Sequence, residues 1–144
     1  MVAAEIDPPI KGWLEHHLSR IAVQAGVTGA IISVAVVDDP TMTDLHQRYK
    51  SVASTTDVLS FDLRETHDPQ CPRVEGELVI CVDEAARQAA QRGRETRLEV
   101  LLYAVHGLLH LLGYDDARPS QARDMHRRED ELLTEAGFGP LFAG

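Results

Sequence analysis

Apolar residues recur along this chain in two periods, and the switch between them outlines the elements. Ile10, Trp13, Leu14, Leu18, Ile21 and Ala25 keep helical spacing. Asp7-Pro8-Pro9 precedes them as a helix start, since the missing proline N–H groups are not needed in a first turn, and Gly26 closes the segment. Ala30–Val37 is a β-branched apolar run that predicts a strand, with Asp38-Asp39-Pro40 as the turn that ends it. A short helix is expected over Thr43–Tyr49 and a second strand over Val58–Asp62. Arg64–Val74, with Pro69 and Pro72, reads as an exposed loop. A third strand, Glu77–Val82, runs into Asp83 as the cap of an alanine-rich helix to about Arg92. Thr96-Arg97-Leu98-Glu99 has capping-box spacing and opens a strongly apolar helix that ends near Gly113. After Pro119-Ser120 a polar helix runs to about Ala136 and stops at Gly137.

The order predicts an α+β domain: a small mixed sheet of three to four strands packed with about five helices. At 144 residues the chain is expected to be one domain, 1–144, with a core large enough to need no disulfide. No internal repeat is visible. The opening residues carry acids and a double proline where a secretory h-region would be, and no apolar run approaches the ~20 residues of a membrane span. Cys71 and Cys81 lack zinc-finger spacing and read as reduced, inert thiols. A cytoplasmic protein with no membrane partner is the expectation.

Charge decides less. The net charge of −9 opposes long-range attraction of nucleic acid without forbidding a local basic groove. Nearly all positive charge is arginine: Arg87, Arg92, Arg94 and Arg97 form one group, and Arg118, Arg123, Arg127 and Arg128 another. Either is open to two readings, a phosphate-binding patch or a solvated face interleaved with acids.

The chemistry concentrates in YAVHGLLHLLGYDD, Tyr103–Asp116. His106 and His110 lie four apart and so share a helix face. Gly113 can end the helix in a left-handed turn and bring Asp115-Asp116 back toward the rings. Two imidazoles and a carboxylate form a three-ligand site with a position left for water, the pattern of catalytic zinc. One zinc ion fits these donors best, although nickel, copper or manganese accept the same set. Either acid of the pair could supply that carboxylate. A ligand role for His-x-x-x-His is favoured over simple burial because both rings sit in an apolar helix, where an unbonded polar group costs on the order of 1–3 kcal/mol.

HGLLHLLGYDD resembles the H-G-x-L-H-L-x-G-Y-D-H signature of the bacterial YbeY proteins, metal-dependent endoribonucleases of ribosomal RNA maturation. Thr55–Phe61 (TTDVLSF) resembles that family's T-D-V-L-S-F strand. Glu75–Cys81 (EGELVIC) is similar to its G-D-I-V-I strand, and Val36–Lys50 to the segment ending L-N-x-x-Y-R. The resemblance implies a zinc-dependent, single-strand-specific endoribonuclease that matures the 3′ end of 16S ribosomal RNA on the small ribosomal subunit. It also implies that the family's third histidine is Asp116 here, which makes Asp116 the preferred third ligand with Asp115 and His126 as alternatives, and that the family's arginine is Lys50. Aspartate ligates zinc at nearly the same distance as histidine. Lys50 can neutralise an oxyanion as a point charge where arginine would offer a fork, and is the expected catalytic cation.

Two other classes share these residues. The spacing H-x-x-x-H-x-x-G-x-x-D is that of metzincin metalloproteases, but Gly107 stands where their general-base glutamate would be. A non-catalytic ribosome-assembly factor with a metal is the other alternative.

Overall fold

The computed structural model describes residues 8–27, 29–50, 56–64 and 73–142. Their order is α1 (Pro8–Gln24), β1 (Gly29–Val37), α2 (Asp39–Lys50), β2 (Val58–Asp62), β3 (Arg73–Cys81), α3 (Val82–Arg92), α4 (Thr96–Leu111) and α5 (Pro119–Glu135). Three strands form one mixed sheet in the order β1-β3-β2, with β1 parallel and β2 antiparallel to β3. This is the α+β arrangement expected, with three strands and five helices among the described residues.

The central strand explains itself by alternation. Leu78 and Ile80 of β3 belong to the main core, while Val79 and Cys81 join Met42 and Leu59 in a smaller cluster that Leu45 of α2 packs against. A strand buried on both faces reads as a continuous apolar run, as Leu78–Cys81 does. Against the main face lies α4, apolar nearly all round and in contact with β2, β3, α1, α3 and α5. A helix in that position is a core element, and it fixes whatever polar side chains it carries.

The approach of α4 to the sheet is close enough to demand glycine. A Cβ on Gly107 would stand 2.7 Å from Leu78 Cδ2, 3.1 Å from Ser60 Oγ and 3.3 Å from Val58 Cγ2. The Ser60 hydroxyl instead donates to the Gly107 carbonyl at 3.3 Å, tying β2 to the helix beside the first histidine.

Four boundaries differ from the sequence reading. Asp38-Asp39-Pro40 is not only a turn: α2 starts at Asp39, and the Asp38 carboxylate accepts the Thr41 N–H at 3.0 Å. An Asp followed closely by proline is both a turn and a helix-start signal. The Asp83 side chain does not cap α3, whose cap position is Cys81; it accepts the Asp39 N–H at 2.8 Å and joins α3 to α2. The Thr96–Glu99 box does not form either. Glu95 occupies the cap, and Glu99 is fully buried in an ion pair with Arg94. Finally, β3 begins at Arg73, four residues before the expected Glu77, because pairing with β1 continues to Gly29. Cys71 lies outside the described residues; Cys81 is buried, and its thiol donates to Asp39 Oδ1 at 3.2 Å.

Candidate metal centre

Both histidines project from the same face of α4, near its C-terminal end. The helix gives out at Leu111, and Gly113 takes φ 102°, a left-handed conformation that glycine adopts without penalty. Tyr114 N–H then bonds back to the Leu109 carbonyl at 3.0 Å and Gly113 N–H to that of His110 at 3.0 Å, which folds the chain over the helix end. Arg64 adds a clamp, donating to the Leu111 carbonyl at 2.8 Å while paired with Asp62.

That reversal delivers Asp116. Its Oδ2 lies 3.4 Å from His106 Nε2 and 3.7 Å from His110 Nε2, and the two ring nitrogens are 3.2 Å apart. Zinc with bonds of about 2.0–2.2 Å in a tetrahedral shell separates neighbouring donors by ~3.3–3.6 Å. The three atoms therefore fit one ion of that size with no rearrangement of the backbone. The expected alternatives are placed elsewhere. Asp115 Oδ1 accepts the Asp116 N–H at 2.8 Å and the Ala117 N–H at 3.3 Å, holding the loop. The His126 Nδ1 faces Glu129 at 3.0 Å. Lys50 ends α2, and its side chain lies outside the described residues.

Glu129 is the residue sequence reading missed. It projects from α5, is 1% exposed, and reaches both His106 Nδ1 and His126 Nδ1 with its two oxygens. A carboxylate on Nδ1 holds the N–H there and turns the Nε2 lone pair toward the site, the usual outer partner of a metal-binding histidine. Burial lowers the affinity of His106 for a second proton, but the hydrogen bond and charge of Glu129, helped by Asp57 and Asp116, outweigh it and leave the pKa above 6.5. The signal for Glu129 was its phase: it stands four residues after Met125 and three before Leu132, both buried, so it faces inward.

A second group of possible ligands, His106, His126 and Glu129, shares these atoms. Its Nδ1 atoms are already joined to Glu129, so it serves as the support of the first group. The arginines divide as well. Arg87 is paired with Asp39 at 2.7 Å and Glu84 at 2.8 Å, while Arg127 and Arg128 pair with Asp124 and Glu131 on α5. These four acids match the interleaved-face reading.

Comparison with known proteins bears on the same residues. The family model described as Endoribonuclease YbeY matches residues 2–137. This chain belongs to the YbeY family. Among curated members, Endoribonuclease YbeY of Beutenbergia cavernae is 44% identical over 109 residues, covering 72% of this chain and 73% of its own. That of Moorella thermoacetica is 37% identical over 146 residues, covering 93% and 94%. The fold is also that of a Thermotoga maritima protein solved in solution, with TM-score 0.63, 24% identity, and coverage of 89% of this chain and 81% of that one. The relatives it matches are named as endoribonucleases. Packing speaks against the protease alternative, because the space at Gly107 that rejects a Cβ leaves no room for a glutamate base. No helix among the described residues is long and apolar enough to cross a membrane.

Proposed function

We propose that this protein is a zinc-dependent endoribonuclease that cleaves single-stranded RNA and matures the 3′ end of 16S ribosomal RNA on the small ribosomal subunit, in the cytoplasm. The observation that carries the metal part is the set of separations of 3.2, 3.4 and 3.7 Å among His106 Nε2, His110 Nε2 and Asp116 Oδ2. These three side chains hold one zinc ion, within a single domain spanning 1–144. When bound, zinc supplies Lewis acidity toward the phosphodiester.

The chain's own residues do the rest. Glu129 orients His106 by holding its Nδ1–H, and Ser60 fixes the helix turn at Gly107 against β2. Lys50, at the end of α2, neutralises charge that develops on the phosphate. Purified protein should cut single-stranded RNA, stop on addition of a chelator and resume with zinc. Lys50→Ala should lower the rate about 10²-fold, the scale for losing one charge-stabilising donor, with zinc content unchanged.

The second reading, a non-catalytic assembly factor, is favoured by Asp116 and Lys50 standing where the family pattern has histidine and arginine. Zinc-loaded protein that binds the small subunit and leaves RNA intact would establish it.

A further inference from the structure

A cavity of about 220 Å³ opens on the other side of His106, the residue it shares with the metal centre. Its walls include Asp57, Glu84, Arg92, Tyr103, His126 and Phe142. It is smaller than the ~300 Å³ at which pockets for drug-sized ligands begin, so it suits a single ring system.

The aromatic wall is held in place from the core. Buried Glu99 pairs with Arg94, and Arg94 and Arg92 both donate to the Leu141 carbonyl, Arg92 at 3.1 Å. Phe142 N–H donates to Asp130 Oδ1 at 2.9 Å. So anchored, the Phe142 ring lies flat on the His126 imidazole, with centroids 3.6 Å apart and planes 4° from parallel, yet remains 40% exposed. A fixed, partly exposed aromatic beside a nuclease centre is a stacking platform.

Polar chemistry narrows the ligand. Asp57 uses one oxygen on the Val58 N–H at 2.7 Å, and Glu84 is bonded to Arg87 and Gln88, so both acids hold their places as hydrogen-bond acceptors. Three acids, Asp57, Glu84 and Glu129, against one arginine, Arg92, and the imidazoles of His106 and His126 disfavour a phosphate inside the cavity. A neutral, flat group with N–H donors fits better. We propose that this cavity is a nucleobase pocket for a nucleotide next to the scissile phosphate, and that it selects a base with an exocyclic amino group over uracil. The inference rests on the RNA-cleaving reading for its placement, and its chemistry is tested without cleavage.

Cytidine and uridine make the test, because they match in shape, carry no phosphate and differ only at ring positions 3 and 4: cytosine offers an acceptor and an amino group with two N–H donors, uracil a single N–H donor and a carbonyl. Nuclear magnetic resonance titration of the zinc-loaded protein should show cytidine shifting the Phe142 and His126 ring signals saturably, about tenfold more tightly than uridine, the scale of one bond to a charged acceptor. Phe142→Ala should weaken cytidine about fivefold or more, as removal of a stacking ring does. Asp57→Asn should narrow the cytidine-to-uridine ratio, since its amide can donate to the uracil oxygen. Unmoved Phe142 and His126 signals, or wild-type cytidine affinity in Phe142→Ala, overturns the pocket. RNA cleavage measured on the same samples separates the two claims. Cleavage without nucleoside binding rejects the pocket alone, and binding without cleavage rejects the nuclease while the base site stands.

Discussion

Two carboxylates address one imidazole from opposite sides, and they are built in opposite ways. Glu129 sits on a helix, is 1% exposed and bridges the Nδ1 atoms of His106 and His126. Asp116 sits on a loop, has a side chain 42% exposed, and approaches Nε2 only to 3.4 Å. The first contact is assembled with the core and orients the ring before any ion arrives. The second depends on a glycine turn and leaves its carboxylate open to solvent. In the proposed zinc site, holding a ligand and completing the metal shell would thus fall to separate parts of the fold.

Removing each acid should pull the two roles apart. Glu129→Leu strips a buried partner from two histidines and should cost ~3–5 kcal/mol of unfolding free energy in the metal-free protein, measured by urea titration. It should also weaken zinc about 10–100-fold, the scale for outer-shell partners. Asp116→Ala should leave metal-free stability within ~0.5 kcal/mol, as at exposed sites generally. Equal destabilisation by the two would erase the contrast.

Next in size is the packing that carries the histidines. Gly107→Ala must displace Leu78, Ser60 or Val58, and overpacking of this kind costs about 1–3 kcal/mol. A melting temperature equal to wild type would mean the α4–sheet contact is looser than its distances indicate.

The pH dependence is smaller and has a definite sign. The pKa of His106 is raised in the folded state, so its contribution to metal-free stability is complete below about pH 6.5 and is lost as pH rises through the folded value. Thermal melts of the metal-free protein should therefore decline across that interval, and His106→Gln should flatten the slope. Zinc affinity should run the other way, increasing as Nε2 loses its proton. A flat profile in the wild-type protein would contradict the link to Glu129.

The helices and strands were largely legible because α1 keeps helical spacing while β1 and α4 are apolar runs of strand and helix length. The glycine turn after His110 was legible because Gly113 has to take a positive φ there. Asp116 is set apart from Asp115 only by the family resemblance, and the structure places Asp115 on the loop's N–H groups and Asp116 beside the two rings. Glu129 was hidden among the acids and arginines of α5, a helix that reads as solvated unless its Met125–Leu132 phase is followed. Glu99 misled for a related reason. The same Thr-x-x-Glu spacing serves a capping box or a buried ion pair, and only the tertiary position of Arg94 decides between them. The early start of β3 was obscured because pairing with β1, not local composition, extends it.

Metal content of the purified protein reads the central arrangement most directly, with Asp116→Ala and His126→Ala prepared alongside. One zinc per chain in the wild type and in His126→Ala, with most of it lost from Asp116→Ala, is the predicted result. Zinc retained in Asp116→Ala, or lost equally from both variants, would contradict a centre built from His106, His110 and Asp116.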